Sequence, residues 1–203
     1  MRIILGSSSP RRKDILSSIT GPFEIMKPDI DESVVPGETA HAYCIRVAHE
    51  KLNALVPAVS STKEDILLIA SDTTVSFEDH ILGKPVNYED AVRMISLLEG
   101  KTHQVLSSLA LYVRKNEKAI FLEGIESTNV TFKTLDAEGI EQYLSQIHFM
   151  DKAGAYAAQE QGDLIIQRIE GSVTNVIGFP LRLFFRLCSE NNMIENFFKD
   201  SCL

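Results

Sequence analysis

The sequence predicts an α/β fold, with one elongated mixed sheet flanked by helices. Three observations predict it. Short apolar runs of strand length alternate with segments of helical periodicity. Two extended stretches, 103–114 and 119–132, are rich in β-branched residues and follow each other closely, as an antiparallel pair does. No repeat, low-complexity tract or Pro/Gly/Ser-rich linker divides the chain, so residues 1–203 read as one domain, at most two lobes around a cleft.

The elements follow in order. Arg2–Gly6 reads as a buried first strand. Ser7-Ser8-Ser9 then offers caps, and Pro10 suits a first helical turn. That helix carries Ile15, Leu16 and Ile19 and is expected to stop at Gly21-Pro22. Phe23–Met26 is a short strand. From Thr39 to about Val56, Cys44, Val47, Ala48, Leu52 and Leu55 recur at helical spacing. Ile66–Ala70 is a second buried strand, with Ser71-Asp72-Thr73-Thr74 expected just beyond its end. Tyr88–Leu98 is a helix ended by Gly100. After the long antiparallel pair, Asp136–Ile147 reads as a helix, Leu164–Ile169 as a strand and Leu181–Leu187 as part of a last helix.

Bulk properties narrow the function. Lys and Arg number 20 against 28 Asp and Glu, a net charge of -8. That balance excludes general binding to nucleic acid or anionic membrane, but not an anionic substrate in one locally basic pocket. No apolar run approaches the roughly 18 residues of a membrane-spanning helix, and the start of the chain lacks a signal-peptide core. Cys44, Cys188 and Cys202 are scattered, with no CxxC spacing. They read as free thiols of a cytoplasmic protein.

Five places could carry chemistry. Gly6-Ser7-Ser8-Ser9-Pro10-Arg11-Arg12 joins a strand to a helix start, where free N–H groups, small side chains and two guanidinium groups suit a phosphate. It also reads as an ordinary helix cap with two solvated arginines. Asp29-Ile30-Asp31-Glu32 could hold a divalent cation, or be a charged loop. Asp72 could ligate a metal or activate water, or cap a turn. Lys51 and Lys84 could meet phosphates or be solvated. In Asp151–Gln159, small residues surround Tyr156, and Gln159 can donate and accept towards a base edge; a tight structural loop fits equally. Gly100-Lys101-Thr102 lacks the upstream glycine of a Walker loop and reads as a helix-ending turn. The five histidines form no metal or triad pattern.

Taken in order, these segments resemble the Maf family of nucleoside triphosphate pyrophosphatases. The matching signatures are Ser7-x-Ser9-Pro10-Arg11-Arg12, Asp31-Glu32, Arg46-x-Ala48-x-x-Lys51, Ser71-Asp72-Thr73-x-Val75 and Leu82-Gly83-Lys84-Pro85. They continue with Gly100-x-x-His103-x-Val105, Asp151-Lys152-Ala153-Gly154-x-Tyr156-x-x-Gln159 and Gly171-Ser172-x-x-Asn175-Val176-x-Gly178-x-Pro180. The resemblance runs from Leu5 to about Leu187.

It implies an inosine-triphosphatase-like fold and cleavage of dTTP and UTP to the monophosphate and pyrophosphate, with Mg²⁺ or Mn²⁺. It implies roles too: Ser7, Ser9, Arg11 and Arg12 on the triphosphate, Lys51 and Lys84 as catalytic charges, Glu32 and Asp72 on the metal and its water. Asp72 would be the general base, with Thr73 and Gln159 reading the pyrimidine. Analogy also admits a homodimer. Alternatives are a pyrophosphatase for 7-methyl-GTP or another modified nucleotide, and a nucleotide-binding regulator of division without turnover. The chain departs from the family at Ala155, Ala157 and Ala158, where glycine is usual, and at Glu160 after Gln159. An alanine adds a Cβ wherever glycine would permit positive φ.

Overall fold

The computed structural model describes residues 1–62, 64–78 and 80–193. Cys202 lies outside them. The elements are β1 (Arg2–Gly6), α1 (Pro10–Ser17), β2 (Glu24–Ile25), α2 (Ala40–Val59), β3 (Ile66–Phe77), β4 (His80–Leu82), α3 (Tyr88–Leu98), β5 (Thr102–Lys115) and β6 (Lys118–Phe132). Then come α4 (Ala137–Ser145), a 3₁₀ turn (Ala153–Ala155), α5 (Gly162–Ile165), β7 (Ile166–Glu170), α6 (Val173–Ile177) and α7 (Leu181–Glu190). The sheet is mixed, in the order β2-β1-β3-β5-β6-β7, with β4 added to β3.

Local chemistry sets the helix starts. Ser9, Thr39, Asn87, Asp136 and Ser172 each accept a hydrogen bond from a backbone N–H of the following first turn. α1 is shorter than expected and ends at Ser17, before Gly21. α2 runs on to Val59 through Pro57, a turn beyond the expected Val56. Leu164 and Ile165 belong to α5, and only Ile166–Glu170 is strand. The β5–β6 pair turns at Asn116 and Glu117, both at positive φ, as a two-residue hairpin needs.

The main difference from expectation lies in β3. It runs to Phe77 instead of stopping at Ala70, because β5 pairs with it throughout, from Ile66↔Arg114 to Ser76↔Gln104. On its other side β1 covers only Ile66–Ala70, and β4 covers Val75–Phe77. Between them, Ser71–Thr74 have β5 as their one strand neighbour among the described residues. Asp72 therefore sits inside a strand, in a notch of the sheet edge, just past the carboxyl end of β1.

Alternation along β3 sends its side chains to two faces. Leu67 and Ile69 pack with Leu5, Leu16 and Phe184, under α1 and α7. Leu68 and Ala70 pack with Ala48, Leu52 and Leu55 of α2. Farther along, Val75 and Phe77 join Ile95, Phe132, Tyr143 and Tyr156 against α3 and α4. Each fully buried Leu, Ile or Phe contributes about 2 kcal/mol of transfer free energy.

Two features of the third cluster shape the cleft wall. Gly154 has φ +68 and donates its N–H to Gly83; a Cβ there would lie 3.0–3.2 Å from Val75. Ala155 follows at φ +61 and fully buried, so of the three alanine departures this one falls on a left-handed conformation, at a cost of about 1 kcal/mol. Gly154→Ala adds strain and overlap together. It is expected to lower the free energy of unfolding by about 2 kcal/mol, measured by denaturant titration.

His103 is buried, its Nε2 lies 2.8 Å from the Tyr156 hydroxyl, and its ring meets Phe132 edge-on. Burial lowers its pKa to about 4. Unfolded, the imidazole takes a proton near 6.5. Between these values the unfolded chain binds more protons, so stability falls as pH drops through that window. Denaturation at pH 7, 5.5 and 4 is expected to show this decline, and His103→Gln is expected to flatten it.

Candidate active site

The notch in β3 opens into a cleft of about 1060 Å³. All ten residues singled out in the sequence line it. Six basic side chains face it against four acidic ones, so an acidic protein carries a locally basic cavity.

One end is built by the β1–α1 junction. Ser7 is buried, and its Oγ accepts from the Ser9 N–H at 3.2 Å and from Arg12 Nη1 at 3.2 Å. Arg12 is 9% exposed. Its Nε donates to the Gly178 carbonyl at 2.8 Å and its Nη2 to Thr73 Oγ1 at 3.1 Å. Burial lowers the Arg12 pKa, and the nearby charge of Asp72 opposes that shift. Thr73 Oγ1 also lies 2.9 Å from Ser107 Oγ and 3.3 Å from the Gly178 carbonyl, so its hydroxyl is engaged within the protein. Three fixed partners thus aim a buried guanidinium at the cleft floor.

The centre is an ion cluster. Lys51, on the inner face of α2, is 6% exposed. Its Nζ donates to Asp72 Oδ1 at 2.8 Å and lies 3.2 Å from Glu32 Oε1. Asp72 is 5% exposed, and its Oδ2 accepts from Thr74 Oγ1 at 3.1 Å. Glu32 arrives on the irregular segment 27–38, whose backbone α2 fixes. The Tyr43 hydroxyl donates to the Glu32 carbonyl at 2.9 Å, Arg46 Nη2 donates to the Ser33 carbonyl at 2.9 Å, and Arg46 grips Glu38 at 2.7 Å. Burial, then the charges of Asp72 and Glu32, raise the Tyr43 pKa and keep its proton on. Burial likewise pushes the Cys44 thiol up to about 12, so it is a neutral packing group and no nucleophile.

The far wall comes from residues 151–159. Asp151 Oδ2 accepts from Arg11 Nη1 at 2.8 Å, spanning the cleft. Lys152 is 4% exposed; its Nζ lies 3.0 Å from Asp151 Oδ1 and 3.3 Å from Glu160 Oε2, and it donates to the His148 carbonyl. Burial pushes the Asp151 carboxyl up, but hydrogen bonds from Arg11, Lys152 and His148 outweigh it and hold the group well below the usual range. Lys84 and Gln159 are exposed at the rim. Lys152, Asp151, Arg46 and Tyr43 received no individual role from the sequence. The first three stand in its quoted motifs, but their burial and pairing arise only when distant segments meet.

The donor set bears on a divalent cation. Among the described residues no three His, Cys, Asp or Glu side chains gather as a metal cage. Asp72 and Glu32 both meet Lys51 Nζ, however, and so lie near each other, and Mg²⁺ is commonly held by one or two carboxylates, waters and substrate phosphates. The pair fits a cation that enters with a polyphosphate.

Comparison with known proteins identifies the family. Residues 2–191 match the model of the family described as Maf-like protein. The dTTP/UTP pyrophosphatase of Chromobacterium violaceum is 43% identical over 181 residues, covering 89% of this chain and 89% of that protein. The dTTP/UTP pyrophosphatase of an Anaeromyxobacter species is 40% identical over 181 residues, covering 89% and 84%. The solved Ham1 protein of Staphylococcus aureus aligns with 94% of this chain and 100% of its own at 13% identity, with a TM-score of 0.45. With the family model matched almost from end to end and relatives of this identity, the chain belongs to the Maf family.

Proposed function

We propose that this chain is a nucleoside triphosphate pyrophosphatase that hydrolyses dTTP and UTP to the monophosphate and pyrophosphate. The observation that carries this reading is the convergence of Lys51, Asp72 and Glu32 on one point of a basic cleft. The names of the relatives supply the substrates. The described residues work here as one domain, because the cleft takes walls from segments spread between Gly6 and Gly178. Among the described residues no helix is long and apolar enough to cross a membrane. The reduced, buried thiols of Cys44 and Cys188 suit a cytoplasmic setting.

The residues divide the work. Ser7, Ser9 and the buried Arg12 hold phosphate oxygens, and Thr73, whose hydroxyl is engaged by Arg12, Ser107 and Gly178, fixes the guanidinium and does not read the base edge with that hydroxyl. Arg11 reaches the triphosphate by exchanging its Asp151 partner for a phosphate. Lys51 and Lys84 place charge where it develops as the α–β bridging bond breaks. Asp72 orients the attacking water and accepts its proton. A divalent cation at Asp72 and Glu32 would neutralise phosphate charge and make that water more acidic. Gln159 reads the base edge. Water adds to the α-phosphorus and pyrophosphate departs, so atoms and charge balance without a redox partner.

Pyrophosphate release from a nucleotide panel tests the reading; dTTP and UTP are expected to lead, and chelation of divalent ions is expected to abolish turnover. Asp72→Asn and Glu32→Gln are each expected to lower kcat by about a hundredfold or more with the fold intact. Near-normal turnover in both would remove the catalytic assignment. Lys51→Met strands Asp72 without its cation. It is expected to cost about 3 kcal/mol of stability in a denaturant titration, as well as activity.

A further inference from the structure

Glu160 follows Gln159, which lines the cleft, and the structure shows what Glu160 touches. Its two oxygens face two partners. Oε2 lies 3.3 Å from Lys152 Nζ, and Oε1 accepts from Gln159 Nε2 at 3.3 Å. Lys152 is itself buried and fixed by Asp151 and the His148 carbonyl. The carboxylate is therefore anchored on one side and presented to a side-chain amide on the other.

A carboxylate only accepts hydrogen bonds, so the amide can face it with its NH₂ end and not with its oxygen. Unrestrained, a glutamine amide can turn over and exchange its donor and acceptor. Beside Glu160 one orientation is held, which leaves Gln159 Oε1 and the second N–H for the cleft. This matters for pyrimidines. Uracil and thymine offer an N3–H donor beside an O4 acceptor. Cytosine, in the same pose, offers an N3 acceptor beside an N4–H₂ donor. A freely turning amide satisfies either base; a held amide satisfies one and leaves the other with facing like groups, a costly mismatch in a desolvated site.

We propose that Glu160 is a specificity-determining positioning residue: held by Lys152, it locks the Gln159 carboxamide in the orientation that accepts uracil and thymine and rejects cytosine. This rests on the reading that Gln159 faces the base. Glu160 is not among the residues that line the cleft, so it acts through Gln159.

The test is kcat/KM for UTP and CTP in the wild type, Glu160→Ala and Gln159→Ala. Glu160 is partly exposed, so its replacement leaves the fold intact. In Glu160→Ala, the preference for UTP over CTP is expected to fall by about tenfold, through a lower KM for CTP, with kcat for UTP nearly unchanged. A purely structural role would lower both substrates together and leave the ratio in place. If Gln159→Ala changes the ratio and Glu160→Ala does not, the amide is read without the lock and the proposal is wrong. If neither changes it, Gln159 does not read the base, and the proposal falls with that assignment while pyrophosphate release from UTP still stands.

Discussion

The contact on which the site depends is the ion pair between Lys51 and Asp72. Both side chains are nearly excluded from water, so neither charge is tolerable alone. Together they hold α2 against the middle of β3 at the point where the sheet has lost its parallel neighbour. The pair exists because β3 continues past the end of β1, supported from one side by β5. Had β3 stopped at Ala70, Asp72 would sit on a loop with no fixed height over α2. Glu32 completes the arrangement from outside, and Arg46 and Tyr43 on α2 keep its segment in reach. A single helix thus positions two of the three charged groups, Lys51 directly and Glu32 through Arg46 and Tyr43.

The same geometry reconciles an acidic protein with an anionic substrate. The net charge of -8 is a property of the whole surface, whereas the cleft gathers more cations than carboxylates. Several of those cations are buried or half-buried, and paired. Arg11 is held by Asp151, Lys51 by Asp72 and Glu32, and Lys152 by Asp151 and Glu160. Paired cations cost less to bury than bare ones, and a polyphosphate can take over partners without the protein reorganising.

Much of this was legible in the sequence. The alternation of strands and helices, the long hairpin and the ten cleft residues all appear where the pattern and the ordered motifs put them. The misplacements have physical reasons. Ser71–Thr74 were expected beyond the strand because small polar residues usually end one; β5 overrides that local preference, and Asp72, Thr73 and Thr74 line the cleft. β4, α5 and α6 are too short to show a period. Arg46, Asp151 and Lys152 stood in recognised motifs, but their pairing depends on burial that no local pattern encodes. Ala155 occupies a left-handed conformation that no local pattern foretells.

The central claim is that Lys51 and Asp72 act as one unit. A double-mutant cycle on Lys51→Met and Asp72→Asn, reading unfolding free energy and kcat together, tests it most directly. If the pair is the unit described, the effects are non-additive. The double variant then recovers more than about 1 kcal/mol of the summed loss of stability, and its turnover is no worse than that of the poorer single variant. Additive losses in both quantities would show two independent residues and contradict the account.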